Sequence, residues 1–144
     1  QTFGHLFQTC HKNPGTYTGV AVGCNPDVDW SKFAAEIGDA YVCAFDYTNW
    51  DASLSPLWFD ALKLFLSKLG YSGRDLVLID QLCYSNHIYK NEGYKVTGGM
   101  PSGCSGTSIF NSIINNIVIR TLIMLAYKNI NLDELLVLCY GDDL

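Results

Sequence analysis

Three short stretches hold side chains whose types and spacing suit chemistry on a polar, charged substrate. Tyr140-Gly141-Asp142-Asp143 follows an apolar run at residues 135–139. Two adjacent carboxylates at the tip of a buried strand repel each other and are costly to desolvate, and a shared cation relieves both penalties. Carboxylate oxygens are ligands for hard divalent ions, so the pair describes half of a metal site that needs a further acid. Asp46 and Asp51, spaced D-x4-D after a second apolar run, offer candidates. Asp46 caps that run, where a neighbouring strand's Asp can share an ion with it. Asp51, one turn further on, suits hydrogen bonding to something bound alongside. The third stretch, Gly98-Gly99-Met100-Pro101-Ser102-Gly103-Cys104-Ser105-Gly106, is too rich in glycine for a regular element. It has neither the Gly-Lys-Ser/Thr of a Walker loop nor a dinucleotide fingerprint. It does lead into a helix N-terminus, offering backbone N–H groups and the Ser102 hydroxyl to a polar ligand. Thr107 and Asn111 lie four apart and so stack on one face of that helix.

Each stretch alone also has a plainer reading. D-x4-D fits a solvated turn with two ordinary surface acids. Gly141-Asp142-Asp143 fits a type I′ hairpin turn with exposed carboxylates. Thr107 and Asn111 fit a hydrogen-bonded pair between core helices.

The elements that must position these residues can be read from periodicity. Ala40-Tyr41-Val42-Cys43-Ala44-Phe45 is a continuous apolar run, expected as a strand buried on both faces and ending at Asp46. Ser55 as N-cap and Pro56 at the first position start a helix. In it Leu57, Ala61, Phe65 and Leu69 recur every four residues, with Leu62 and Leu66 flanking them, and Gly70 stops it. A second helix is expected from about Arg74 to Tyr84, then a hairpin of residues 87–89 and 94–96 around Lys90-Asn91-Glu92-Gly93. A long helix begins near Thr107, and Asn131-Leu132-Asp133 reads as a turn or helix start before the strand carrying Tyr140. Residues 1–29 read as loops with short strands, and residues 30–37 as a short helix ended by Gly38. Together these predict an α+β fold, a small antiparallel sheet backed by helices; if the two Asp-tipped strands are neighbours, Asp46 and the Asp142/Asp143 pair come together at one edge.

A chain of 144 residues, 49% hydrophobic, is enough for one domain with a real core. Its net charge of −5 argues against nucleic-acid binding if the chain is whole. The absence of an initiating Met, and a hairpin-tip motif beside the last residue, instead suggest a piece of a longer protein. Six cysteines without a CxxC pair or a secretory segment point to reduced intracellular thiols. Cys43 and Cys139, inside apolar runs, read as small hydrophobes. Cys10, His11 and Cys24 lack zinc-site spacing, and His5 and His87 read as structural or surface residues. Residues 109–127 are long and apolar, yet Asn111, Ser112, Asn115, Asn116 and Arg120 would be penalised at a bilayer centre. A buried helix with one polar face fits them better than a transmembrane segment.

Taken in order, three segments are specific: residues 45–56 (FDYTNWDASLSP), residues 98–111 (GGMPSGCSGTSIFN) and Tyr140-Gly141-Asp142-Asp143. They resemble the three central palm motifs of picornavirus RNA-dependent RNA polymerases, closest to the enterovirus-like ones. The likeness also takes in Ala21-Val22-Gly23-Cys24-Asn25-Pro26-Asp27 and the hairpin before the glycine stretch. The resemblance implies a polymerase palm with part of the fingers, cut from a longer chain after the Gly-Asp-Asp turn. On that basis residues 1–39 join fingers and palm, and 40–85 carry the first catalytic Asp and the following helices. Residues 86–103 form a fingers-side hairpin and the glycine loop, and 104–144 the palm helix and Gly-Asp-Asp strand. It further implies that Asp46 and Asp142 hold two Mg²⁺ ions, with Mn²⁺ a possible substitute, assisted by Asp143. Asp51, Ser102, Thr107 and Asn111 would sense the ribose, and Gly103 would let the loop move. Implied partners are RNA template and primer, a protein primer, NTPs and other viral replication proteins, at membrane-associated complexes in the host cytoplasm. The basic triphosphate-binding residues, a proton-donating Lys and the thumb would lie outside these residues, so the segment alone is expected to be inactive. Two rivals are a reverse transcriptase, which also carries a Tyr-x-Asp-Asp turn, and a non-catalytic Ca²⁺-binding fragment, for which no EF-hand spacing exists.

Overall fold

A computed structural model describes residues 2–104 and 106–144; Gln1, and Ser105 of the glycine stretch, lie outside the described residues. Along the chain run α1 (Gly4–Lys12), α2 (Pro26–Ile37), the single turn α3 (Trp50–Ser53), α4 (Pro56–Lys68) and α5 (Gly73–Cys83). Strands β1 (Tyr84–Tyr89) and β2 (Glu92–Thr97), the long helix α6 (Thr107–Ala126) and a 3-10 turn (Leu132–Glu134) complete them. They form two compact units, residues 48–107 and residues 1–47 with 108–144.

In the unit of residues 48–107, α4 starts at Pro56, whose missing N–H is one the first helical turn leaves unbonded anyway. Ser55 occupies the N-cap with extended backbone, but its hydroxyl makes no cap bond. The buried face also differs from the expected stripe. Phe59, Leu62 and Leu66 are buried at 1%, 0% and 0% exposure, whereas Leu57, Phe65 and Leu69 face outward. Apolar residues surround most of this helix, so periodicity could not choose a face; packing beside α5, with Ile79 and Cys83 also buried, chose it. The Lys63 ammonium bridges Asp60 at 2.9 Å and Asp80 at 2.6 Å, tying α4 to α5. The hairpin extends beyond the expected residues, pairing β1 with β2 antiparallel from Tyr84↔Thr97 to Tyr89↔Glu92. Lys90 and Asn91, both at positive φ (49° and 66°), make its turn, the type I′ pattern that matches strand twist. This hairpin is the small antiparallel sheet of the fold, and it contains neither Asp-tipped segment.

In the other unit, residues expected as loops form α1 and the start of α2. Phe3, Phe7 and Cys10 follow helical spacing, and both Phe rings meet Phe110 of α6 edge-on at 5.3 Å. Asn25 caps α2 by accepting from the Asp27 N–H at 3.1 Å, with Pro26 at the first position. Residues 40–45 are not a buried strand. Tyr41 and Val42 are exposed, as is Cys43; Ala40 makes a local turn bond to the Ile37 carbonyl, and among the described residues Phe45 alone in this run pairs with a distant segment, at Leu144. A strand needs a partner along its length, and the described residues give this run one only at its end. Residues 135–139 alternate instead of being buried throughout: Val137 and Cys139 point inward and Leu136 outward. Among the described residues, their one bridge is the parallel pairing of Cys139 with Val20.

Helix α6 is long and apolar enough to cross a membrane by length and composition alone. Its buried set includes Asn111, Ser112 and Asn115. The Ser112 and Asn115 side chains bond to the protein's own backbone, the arrangement of a core helix.

Candidate active site

The Gly-Asp-Asp turn is a tight reversal in which the Tyr140 N–H donates to the Asp143 carbonyl at 3.0 Å and Asp143 returns a bond at 3.2 Å. Gly141 has φ +65° while Asp142 is not at positive φ, the pattern of a II′ turn and not the I′ turn of the plainer reading. Asp142 and Asp143 are both exposed. Water therefore solvates them, and the burial penalty expected from an entirely buried strand does not arise.

The turn is held from behind by a ladder of polar side chains on α6. The Ser112 hydroxyl accepts from the Gly141 N–H at 2.8 Å and donates to the Ser108 carbonyl at 2.7 Å. The Asn115 Nδ2 donates to the Asp142 carbonyl at 3.0 Å, and its Oδ1 accepts from the Tyr47 hydroxyl at 3.0 Å. The Asn116 Nδ2 donates to the Gly19 carbonyl at 2.7 Å and to Cys139 Sγ at 3.2 Å. Gly19 permits this approach: at φ +71°, a Cβ there would lie 2.5 Å from Asn116 Oδ1. From the sequence these polar residues counted against a membrane span and marked one polar face of a buried helix, without showing what that face meets. Their spacing of i, i+1, i+4 and i+5 from Asn111 was the available signal for a polar stripe reaching a partner.

Burial pushes the Cys139 thiol up to about 12. The thiolate is the reactive form, so Cys139 is expected to resist iodoacetamide at pH 8 for as long as the protein stays folded. The sign of the shift means stability falls as pH rises from 9.0 towards 12, because only the unfolded chain ionises this thiol there. Peptide mass spectrometry of labelled protein, and chemical denaturation across that range, check both statements.

Asp46 follows directly on Phe45, whose N–H donates to the Leu144 carbonyl at 2.8 Å and whose carbonyl accepts from the Leu144 N–H at 3.2 Å. That pairing brings Asp46 beside the turn. Asp46 and Asp143 both line a cleft of about 870 Å³, with Ala21, Cys24, Pro26, Trp30, Phe33, Ala44, Phe45, Leu138, Tyr140 and Leu144. Asp142 is not in that lining, and among the described residues no three His, Cys, Asp or Glu side chains converge as a metal cluster. Two carboxylates on one cleft still fit Mg²⁺, which characteristically takes one or two carboxylates and completes its shell with water and substrate phosphates.

The other predicted site residues divide between the units. Asp51, in α3, accepts at its backbone carbonyl from the Met100 N–H at 2.8 Å, and Gly99 donates to the Leu54 carbonyl at 2.7 Å. The glycine stretch is thereby latched to the Asp51 turn. Ser102 and Gly103 are exposed within that stretch. The Thr107 hydroxyl donates to the Cys104 carbonyl at 2.8 Å, within the same loop. Asn111 is buried in α6, in the other unit, at 4% exposure.

The viral RNA-dependent RNA polymerase family model matches residues 1–144. Among solved structures, a Sicinivirus 3Dpol RNA-dependent RNA polymerase superposes with a TM-score of 0.86 at 36% sequence identity. That alignment covers 99% of this chain and 31% of the Sicinivirus chain, so the residues described span about a third of that polymerase. The resemblance seen in three short motifs therefore holds over the whole chain, which belongs to the viral RNA-dependent RNA polymerase family.

Proposed function

We propose that the protein carrying this segment performs template-directed RNA synthesis, adding ribonucleoside monophosphates from NTPs to an RNA 3′-hydroxyl during viral genome replication. The observation that carries this reading is the placement of Asp46 and Asp143 on one cleft, with Asp142 adjacent in the turn, in a chain of this family. Asp46, Asp142 and Asp143 would hold two Mg²⁺ ions (or Mn²⁺), which when bound would supply activation of the 3′-hydroxyl and stabilisation of charge on the transferring phosphoryl group. The chain's own work is to hold those acids in place and to read the sugar.

Asp51, Ser102, Thr107 and Asn111 serve as the ribose sensor. An acid and an amide together can accept from and donate to a 2′-hydroxyl, the group that separates RNA from DNA precursors. Gly103 gives the loop freedom to close; faster amide exchange without nucleotide than with it is the expected sign. The partners are RNA template and primer, NTPs, a protein primer and other replication proteins, at membrane-associated complexes in the host cytoplasm. The cleft lining contains no Lys or Arg to neutralise a triphosphate, which supports the view that the 144 residues alone incorporate no nucleotide.

Templated primer extension by the full-length polymerase tests the assignment. Ribonucleotides are expected to be strongly preferred, and Asp51→Ala to narrow the ribo-to-deoxy preference by about tenfold, the worth of one hydrogen bond to a charged group. Equal use of ribo- and deoxynucleotides by the unmodified protein would favour a reverse transcriptase instead.

A further inference from the structure

We propose that Asn115 is a positioning residue whose single side-chain amide sets the spacing between the backbone segments that carry Asp46 and Asp142. The inference rests on the polymerase reading above. Asn115 is fully buried, at 0% exposure, and both ends of its amide are engaged. Nδ2 faces the carbonyls of Asp142 at 3.0 Å and Gly141 at 3.4 Å, and carbonyls can only accept. Oδ1 therefore faces the Tyr47 hydroxyl, 3.0 Å away, and Tyr47 is the residue directly after Asp46. One rigid planar group thus spans from the neighbour of one site acid to the backbone of the other.

No other residue type reproduces that span. Asp has no donor for the Asp142 carbonyl, and Gln adds a methylene that pushes the two segments apart. Ser112, 0% exposed, pins the Gly141 N–H independently, and the Phe45–Leu144 backbone pairing joins the two segments at residue 144, so Asn115 adds the side-chain link that runs from the Asp142 carbonyl to the residue after Asp46. Site groups tolerate little displacement: an error near 1 Å costs on the order of 10²-fold in rate.

The test uses the full-length polymerase with Asn115→Ala, Tyr47→Phe and the double variant, reading kcat, NTP KM, thermal stability and hydrogen exchange in peptides spanning residues 140–144. Tyr47→Phe removes one hydroxyl and is expected to lower kcat about tenfold, with KM little changed. Asn115→Ala is expected to lower kcat roughly 10–100-fold and to speed exchange in the turn about tenfold while exchange in α4 stays unchanged. Because both act through one strut, the double variant should be no slower than Asn115→Ala alone. Wild-type kcat in Tyr47→Phe, or effects that multiply in the double variant, would overturn the proposal. Should Asn115→Ala fail to fold, kcat of Tyr47→Phe decides the matter. Asp142→Asn serves as the control: retained synthesis there defeats the polymerase-site assignment, whereas lost synthesis there with wild-type Tyr47→Phe defeats only the strut.

Discussion

Asp142→Asn in the full-length polymerase is expected to abolish most RNA synthesis, lowering kcat by on the order of 10³-fold, while leaving the fold intact. Asn matches Asp in size but carries no charge, so the change removes the anionic oxygen that the proposed metal site requires without removing volume. The surrounding structure has little reason to respond. The Asp142 side chain is exposed, and its backbone carbonyl, which Asn115 holds at 3.0 Å, is untouched by the substitution. Exposed substitutions of this kind shift stability by no more than about 0.5 kcal/mol. Primer extension alongside a thermal melt separates the two quantities. Retained synthesis at a rate near wild type would remove Asp142 from the site.

Gly98→Ala is expected to produce the larger structural effect, a destabilisation of about 2–4 kcal/mol. Gly98 has φ +78°, and an added Cβ would lie 2.6 Å from the Leu54 carbonyl oxygen, a backbone atom that cannot rotate away. The same glycine donates its N–H to the Cys83 carbonyl at 2.8 Å, and its neighbour Gly99 donates to Leu54. Relief of the clash therefore means breaking the latch that ties the glycine stretch to the Asp51 turn. Gly103→Ala provides the comparison. It shares a positive φ, +85°, but nothing lies within 4 Å of its added Cβ. Only backbone strain remains there, roughly 1–2 kcal/mol. Denaturation of both variants should place Gly98→Ala well below Gly103→Ala, and equal stabilities would mean that the Leu54 contact is unimportant.

The hairpin and α4 show which parts of the fold were legible. Lys90-Asn91 between two strand-forming runs, Ser55-Pro56 at a helix start and Gly70 at its end are local signals, and each acts within a few residues. Faces and partners were less accessible. Leu57, Phe65 and Leu69 recur at multiples of four and Phe59, Leu62 and Leu66 at three and four, both compatible with one helix face, and packing beside α5 separates them. Residues 40–45 have strand composition without a strand's neighbours, so they stay exposed and form no strand, with Phe45 alone in the run paired to a distant segment, at Leu144. Residues 1–29 failed for the converse reason. A helix of ordinary propensity there is stabilised by Phe3 and Phe7 against Phe110, more than a hundred positions away.

The sequence by itself determined the chemistry: which acids are present, in which order, at the end of which runs, and beside which glycines. Those properties are local, and three motifs were enough to point to the polymerase family. Tertiary structure decided what those acids face and what holds them. It placed Asp46 and Asp143 on a common cleft and left Asp142 out of its lining. It also turned Ser112 and Asn115, which in the sequence read as part of one polar face of an apolar helix, into the supports of the Gly-Asp-Asp turn, and bonded Asn116 to Gly19 and to the adjoining Cys139. Hydrogen bonds between residues 26 to 97 positions apart leave no period and no local motif, so only the folded chain shows which buried amide meets which carbonyl.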